Sequence, residues 1–181
     1  MTTRRAPSAW AETSLPTPVG LVRLVATDRG LAYVGNQGER PERQARWAAR
    51  HLAGAARVDA LPVLDEARAQ LAAYFEGRRK AFDLPLDAEG TPFQERVWEA
   101  LRRVPYGATT TYARLAADLG APGSERAVGG ANGANPLSIV VPCHRVVGSD
   151  GALTGYAGGV RTKARLLQIE RERLGQTRLP G

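Results

Sequence analysis

The pattern of apolar residues changes near residue 88, and this change constrains the fold more than any other feature of the chain. Before it, two apolar runs flank the turn at residues 28–30 (DRG), which predicts a β-hairpin. After it, apolar residues recur every three to four positions, which is typical of amphipathic helices. Residues 87–90 (DAEG) are the most linker-like segment. We therefore expect two domains, residues 1–88 and residues 89–181.

The first domain is expected to contain a small sheet and helices. Residues 41–52 have helical periodicity, and Pro62 opens a second helix that Gly77 ends. A short strand is expected near residues 82–84. With the hairpin, these elements predict a small N-terminal α/β domain with an antiparallel sheet.

Three helices are predicted at the start of the second domain. Thr91 is a good N-cap residue followed by proline at the first helical position, and this helix extends to about Val104. A second helix is expected over residues 111–120. A third, capped by Ser124, is expected over residues 125–133. Two short helices joined by a glycine-containing turn are typical of a helix-turn-helix.

The residues after the third predicted helix indicate a hairpin and a final helix. Apolar residues at 146–147 and 152–153 flank the turn at 148–151 (GSDG), which predicts a hairpin placed like a wing. The last helix has apolar residues on its inner side and Glu170 near its end. The expected fold class is α+β, in which a small N-terminal α/β domain precedes a winged helix-turn-helix-like C-terminal domain.

The charge of the chain suggests an anionic partner but does not locate it. The 181 residues carry a net charge of +7, from 25 lysines and arginines against 18 acidic residues. A basic balance suggests nucleic acid first, although a general bias toward arginine explains it equally well. The charge is +3 before residue 88 and +4 after it, so neither domain monopolises it.

The cysteine and histidine content excludes several classes of protein. One cysteine and two histidines cannot form an internal disulfide or a cysteine-rich structural zinc site. No apolar run approaches the ~18 residues that a membrane helix needs. We therefore expect a reducing, cytoplasmic setting without a membrane association.

The third predicted helix is unusual for a protein that reads DNA sequence. Residues 127–131 (AVGGA) offer almost no side chain to base edges, whereas readout in the major groove needs arginine, asparagine or glutamine. Small residues permit a close, sequence-independent contact in the minor groove. They equally permit tight packing against another helix, and this segment alone favours packing.

The sole cysteine lies beside a histidine, which makes it a candidate nucleophile. A thiol becomes reactive when a neighbouring base removes its proton, and His144 is adjacent to Cys143. On an extended strand the two side chains would point to opposite sides, so a bridging water is an alternative to direct contact. Asp150, Glu170 and Glu172 are available to orient the histidine. A buried, inert thiol is the competing interpretation.

The run Pro142-Cys143-His144-Arg145-Val146 resembles the active-site motif of the methylated-DNA–protein-cysteine methyltransferases, which are the 6-O-alkylguanine-DNA alkyltransferases. Further segments resemble this family in the same order over about residues 10–174. They are Thr91-Pro92-Phe93-Gln94, Val104-Pro105-Tyr106-Gly107 with Thr111-Tyr112, Arg126-Ala127-Val128-Gly129, Asn135-Pro136, Gly155-Tyr156-Ala157-Gly158-Gly159, and Lys163 with Leu166-Leu167 and Glu170.

The resemblance implies a reaction and a set of catalytic residues. Cys143, as thiolate, would take the alkyl group from the 6-oxygen of guanine, and from the 4-oxygen of thymine, in one irreversible step. His144, oriented by Glu170, would remove the thiol proton through a water. Tyr112 would donate to guanine N3, and Asn135 would brace the turn beside the active-site loop.

The resemblance also implies how the protein meets its substrate. The partner would be duplex DNA that contains 6-O-alkylguanine, bound by a monomer without metal or other cofactor. Because the reacting atom lies in the base stack, the nucleotide would be flipped into a pocket. Arg126 would fill the space that the base leaves. The other residues implied in substrate binding are Ala127, Gly129, Val146, Tyr156 and Ala157.

Three other functions are compatible with parts of the sequence. A cysteine hydrolase would use Cys143, His144 and Glu170 but would need an oxyanion hole, for which no sequence signal exists. A helix-turn-helix regulator would carry base-reading side chains on its third helix. A non-catalytic protein that binds alkylated bases would have replaced the nucleophile.

Overall fold

The computed structural model describes residues 5–175. Its N-terminal half contains a four-stranded sheet of order β3-β2-β1-β4, in which the first three strands are antiparallel and β4 pairs in parallel with β1. The strands are β1 (Ala9–Thr17), β2 (Gly20–Thr27), β3 (Gly30–Asn36) and β4 (Ala56–Arg57). The hairpin around residues 28–30 is confirmed. β1 was not predicted, because its polar residues and Pro16 mask the strand pattern.

Two helices, α1 (Pro41–His51) and α2 (Pro62–Phe75), follow in this half, and each begins at its proline. Helix α2 buries Leu71 and Tyr74 completely. The strand expected at residues 82–84 is wrong. The side chain of Gln70 bonds both the amide and the carbonyl of Asp83, so this backbone is satisfied without a strand partner.

The C-terminal half contains four α-helices among the described residues: α3 (Pro92–Arg102), α4 (Tyr112–Asp118), α5 (Glu125–Ala134) and α6 (Val160–Arg173). The Thr91 cap is confirmed as a capping box, because Thr91 and Gln94 bond each other's backbone amides. Ser124 stands at the N-cap of α5, but its hydroxyl donates to the Ala121 carbonyl and does not cap the helix.

The hairpin predicted over residues 146–153 is also wrong. Strand β6 (Val146–Val147) pairs in parallel with β5 (Thr110–Thr111), a strand more than thirty residues earlier. Residues 152–153, which lie in the described part of the chain, form no strand. A hydrogen bond from the Gly148 amide to the Ala152 carbonyl (2.9 Å) closes the turn between them. Pairing with β5 thus takes the place of a local hairpin.

The two halves share one hydrophobic core, which runs from Leu24 and Leu71 through Leu101 to Ile139. Strand β3 also contacts the second half directly, since the Val34 amide donates to the Pro136 carbonyl at 2.8 Å. This contact fixes the segment that leads to Cys143. In the described part of the chain, no helix is long and apolar enough to cross a bilayer.

Candidate active site

Cys143 begins a short 3₁₀ turn, Cys143–Arg145, so the extended strand considered from the sequence is not formed. The chain approaches it through tight turns, in which the Cys143 amide donates to the Val141 carbonyl at 2.8 Å. Ile139 has φ 73°, a left-handed conformation that is strained for a β-branched residue. The surrounding core holds this strain, because Ile139 is fully buried.

Asn135 joins these turns through both atoms of its side-chain amide. Its Nδ2 donates to the Val141 carbonyl and its Oδ1 accepts from the Leu137 amide, both at 2.9 Å. Arg43 of α1 donates to the Asn135 carbonyl at 2.8 Å. The N-terminal half therefore helps to fix the turn beside the cysteine.

His144 and Glu170 form a buried pair. The Nε2 of His144 lies 2.8 Å from Oε1 of Glu170, and both side chains are fully buried. Because an ionised carboxylate only accepts hydrogen bonds, Nε2 carries the ring proton and Nδ1 carries the lone pair. Nδ1 is buried without a hydrogen-bond partner among the described residues. Burial lowers the pKa of His144 below its usual 6.5, so the ring is neutral at neutral pH and able to act as a base.

Glu170 is the centre of a larger polar network. Its carboxylate also accepts from the Gly107 amide (2.8 Å), the Tyr74 hydroxyl (2.6 Å) and the Arg145 guanidinium (2.9 Å from Nη2). Burial by itself would raise the pKa of Glu170, but hydrogen bonds from His144 and Arg145 and the positive charge of Arg145 lower it to about 2. The carboxylate is therefore ionised in the folded protein and able to fix the tautomer of His144.

Sequence reasoning missed Tyr74 and did not assign a role to Arg145. Tyr74 comes from α2, 96 residues before Glu170, and no local signal connects the two. Arg145 lies inside the recognised motif and donates a further hydrogen bond to the Val104 carbonyl (2.6 Å). Its position inside this motif is the sequence signal that could have identified Arg145 as a functional residue.

The Cys143 thiol is buried, with the residue 4% exposed. Burial raises the pKa of the thiol above 9.0, although the Asn135 side chain and the charges of Arg43 and Lys163 oppose the rise. Lys163 is fully buried, and its Nζ donates to the Thr154 carbonyl at 2.6 Å. Only a group that enters the protein interior reaches this sulfur.

Two tyrosines flank the thiol. The Tyr112 hydroxyl makes a long contact of 3.5 Å with the Thr154 carbonyl. Burial raises the pKa of Tyr112, and a thiolate on Cys143 raises it further. Burial and the same thiolate raise the pKa of Tyr156 well above its usual value. Both phenols therefore remain protonated and able to donate hydrogen bonds toward a group bound at Cys143.

The other residues of the expected pocket lie on two segments. Val146 is buried at the start of β6, directly after the 3₁₀ turn. Ala157 lies in the loop between Gly155 and Gly159 that carries Tyr156. Val146 thus lies close to Cys143 along the chain, and Tyr156 and Ala157 lie together on the loop beside it.

Helix α5 presents an exposed face of small residues. Arg126, Ala127, Gly130 and Gly133 are exposed, whereas Val128 and Ala131 are buried against the core. Arg126 forms no ion pair with any residue in the described range 5–175. The small-residue face thus lies at the surface. The alternative interpretation from the sequence was that another helix packs against it.

Helix α5 also adjoins the active site. A Cβ placed on the half-buried Gly129 would lie 3.8 Å from the Tyr112 ring. The indole nitrogen of Trp98 in α3 donates to the Ala131 carbonyl at 2.9 Å and holds the helix in place. Asn132, on the inner side of α5, donates to the Cys143 carbonyl at 3.4 Å. Among the described residues, no three His, Cys, Asp or Glu side chains group as a metal site requires.

Two family models match consecutive parts of the chain. Residues 11–88 match the ribonuclease-like domain of 6-O-methylguanine DNA methyltransferase, and residues 92–172 match the DNA binding domain of the same enzyme. The whole-chain relatives agree with these matches.

The inducible methylated-DNA–protein-cysteine methyltransferase of Bacillus subtilis is 41% identical over 87% of this chain and 88% of its own length. The Methanosarcina barkeri protein of that name is 42% identical over 88% of this chain and 96% of its own length. A crystal structure of Mycobacterium tuberculosis OGT in complex with DNA has a TM-score of 0.76 and 38% identity, covering 91% of this chain and 94% of that chain. The chain therefore belongs to the methylated-DNA–protein-cysteine methyltransferase family.

Proposed function

We propose that this protein repairs DNA by moving an alkyl group from the 6-oxygen of guanine to the sulfur of Cys143, and from the 4-oxygen of thymine in the same way. The sulfur forms a bond to the alkyl carbon as the carbon–oxygen bond breaks, and the electron pair of that bond passes to the base. The thioether product is stable, so each molecule acts once. This function is favoured over non-catalytic binding of alkylated bases because Cys143 is present and the relatives are named as methyltransferases.

The observation that carries the proposal is the pairing of His144 with an ionised, buried Glu170 directly after the only cysteine of the chain. The free Nδ1 of His144 takes the thiol proton through a bridging water as the alkyl group approaches. The positive charge that develops on the ring is stabilised by Glu170. Arg145 and Tyr74 hold that carboxylate in place.

The departing base is stabilised from the other side of the pocket. Tyr112 donates a hydrogen bond to N3 as negative charge builds on guanine, which is where electrostatic help accelerates a reaction most. The backbone carbonyls of Cys143 and Val146 accept from the exocyclic amine. The backbone amide near Ala157 donates to the 6-oxygen, with Tyr156 beside it.

The partner is duplex DNA that contains 6-O-alkylguanine. The exposed small residues of α5 allow this helix to lie close to the minor groove, and Arg126 occupies the space of the flipped nucleotide. Contacts of this kind do not depend on base sequence, as a repair protein that searches DNA requires. The protein acts as a monomer in the cytoplasm.

The test uses a duplex oligonucleotide with one 6-O-methylguanine. We expect repair to stop at one lesion per protein molecule, with the mass of one methyl group added to the peptide that contains Cys143. The Cys143→Ala variant should still bind the duplex and leave the lesion intact. Continued turnover, or demethylation by Cys143→Ala, would contradict the assignment.

A further inference from the structure

The last residue of β3, Asn36, extends from the N-terminal sheet into the active-site half. It is 6% exposed, and its Nδ2 donates to the Tyr156 hydroxyl at 3.1 Å across 120 residues of sequence. Its Oδ1 has no hydrogen-bond partner among the described residues. Burying an asparagine with half of its amide unsatisfied is costly, so the contact with Tyr156 is not explained by stability alone.

The turn that follows Asn36 presses against the same loop. The Glu39 amide donates to the Asn36 carbonyl at 2.9 Å and closes the turn. A Cβ added to Gly38 would lie 2.4 Å from the Gly158 carbonyl oxygen, and one added to Gly158 would lie 2.9 Å from Cβ of Asn36. The two segments therefore meet backbone to backbone, and a side chain at either glycine would push them apart.

The loop held in this way borders the thiol. Burial raises the pKa of Tyr156, a thiolate on Cys143 raises it further, and hydrogen bonds from Asn36 and Ser138 oppose the rise. The Tyr156 hydroxyl thus lies within the electrostatic reach of Cys143. The start of the loop is anchored separately, through the bond from Lys163 to the Thr154 carbonyl. Asn36 and Gly38 anchor its other part from the N-terminal half.

We infer that Asn36, with the turn to Gly38, is a positioning residue that holds the Tyr156 loop against Cys143 and thereby sets the size of the alkyl group that reacts. This inference rests on the proposed function. A firmly held loop orients a small methyl group for attack on its carbon, and a displacement of about 1 Å is enough to slow such a reaction by up to 100-fold. A released loop leaves more room for a bulky group.

The experiment compares single-turnover rate constants for duplexes that carry 6-O-methylguanine or 6-O-benzylguanine. In Asn36→Ala we expect methyl transfer to slow by about tenfold while benzyl transfer is unchanged or faster. The Kd for undamaged duplex should not change, since the hydrogen bond of Asn36 goes to Tyr156 and not to a residue of α5. Thermal midpoints identify any variant that fails to fold.

Two further variants separate positioning from general damage. Tyr156→Phe removes the hydroxyl that Asn36 holds and keeps the ring, so it should shift the methyl-to-benzyl ratio in the same direction. The double variant should match Tyr156→Phe, because both changes remove one contact. Gln37→Ala is the matched control, because this neighbouring amide bonds the Leu21 backbone instead. It should behave as wild type.

Three results would overturn the inference. They are equal losses for methyl and benzyl transfer, full additivity of Asn36→Ala and Tyr156→Phe, and a wild-type ratio in Asn36→Ala. A wild-type protein that transfers neither group would instead refute the proposed function, so the two failures are distinguishable.

Discussion

Cys143 and Glu170 are both acids buried in one site, yet their surroundings affect them in opposite ways. The Cys143 side chain meets few donors, and burial raises its pKa above 9.0. The Glu170 carboxylate receives hydrogen bonds from four residues, and those from His144 and Arg145 lower its pKa to about 2 despite burial. Burial disfavours a charge unless donors replace the water that was lost.

The difference between these two pKa values explains how the site stays unreactive until an alkylated base enters it. The free protein holds a neutral thiol next to a neutral imidazole and an ionised carboxylate. A thiolate exposed in the cell is open to oxidation, whereas a buried thiol is protected. In the proposed mechanism the proton leaves only when the alkyl group arrives, and the network on Glu170 is already in place to stabilise the charge on His144.

Removing the carboxylate should have the largest effect. In Glu170→Gln, Arg145 loses its partner in the interior, which costs about 3–5 kcal/mol of unfolding free energy. Alkyl transfer should slow on the order of 100-fold, because His144 loses the group that orients it. Chemical denaturation and single-turnover assays measure the two effects.

The matched control for this variant is Glu172→Gln on the same helix. Glu172 is exposed and lies 3.7 Å from Arg165, so its removal should change stability by less than about 1 kcal/mol and leave transfer unchanged. Equal effects of the two substitutions would show that the network on Glu170 has no special role.

The acid stability of the protein should reflect the low pKa of Glu170. Because this pKa is about 2 in the folded protein and 4.5 in its ordinary range, the stabilisation is complete above about pH 4.5 and is lost as the pH falls toward 2. The shift corresponds to about 3 kcal/mol of unfolding free energy. His144, whose pKa is also lowered by burial, adds a loss of the same sign that begins at higher pH.

Denaturation curves collected across this pH range check the prediction. In Glu170→Gln the dependence of unfolding free energy on pH should be flatter below pH 4.5, while Glu172→Gln should run parallel to wild type. Identical slopes for all three proteins would contradict a depressed pKa at Glu170.

A smaller effect on unfolding free energy should distinguish two buried tyrosines, only one of which has a hydrogen-bond partner for its hydroxyl within residues 5–175. The Tyr74 hydroxyl donates to Glu170 at 2.6 Å, whereas the Tyr106 hydroxyl is buried without a partner among the described residues. Tyr74→Phe should lower the unfolding free energy by about 1–3 kcal/mol, because the bond is to a charged group. Tyr106→Phe should be neutral or stabilising. Thermal unfolding of both variants tests this contrast, and the reverse order would refute the role given to Tyr74.

The sequence predicted the residues of the candidate site better than the residues that support them. Cys143 and His144 lie in one contiguous motif, so local patterns identify them as a candidate pair. The residues alone left Asp150, Glu170 and Glu172 open as the group that orients the histidine, and only the resemblance selected Glu170. Tyr74 acts through its contact with Glu170, 96 residues later, which depends on how distant elements pack and which local patterns do not encode.

The errors in the fold have the same origin. The apolar pair Val146–Val147 predicted a local hairpin, but its partner is Thr110–Thr111, which lies far away in sequence. The expected strand at residues 82–84 is replaced by side-chain bonds from Gln70 on α2. Helix starts were predicted well because caps and prolines act within a few residues. Strand pairing depends on tertiary contacts and was predicted less well.

The measurement that tests this account most directly is the single-turnover rate of methyl transfer to Cys143 between about pH 5 and pH 10, in wild type and Glu170→Gln. Wild type should keep its full rate at neutral pH and lose it only as the pH falls below the usual 6.5 of histidine. Glu170→Gln should regain rate only above pH 9.0, where the thiol ionises unaided. Two superimposed curves, both rising with thiol ionisation, would contradict the account.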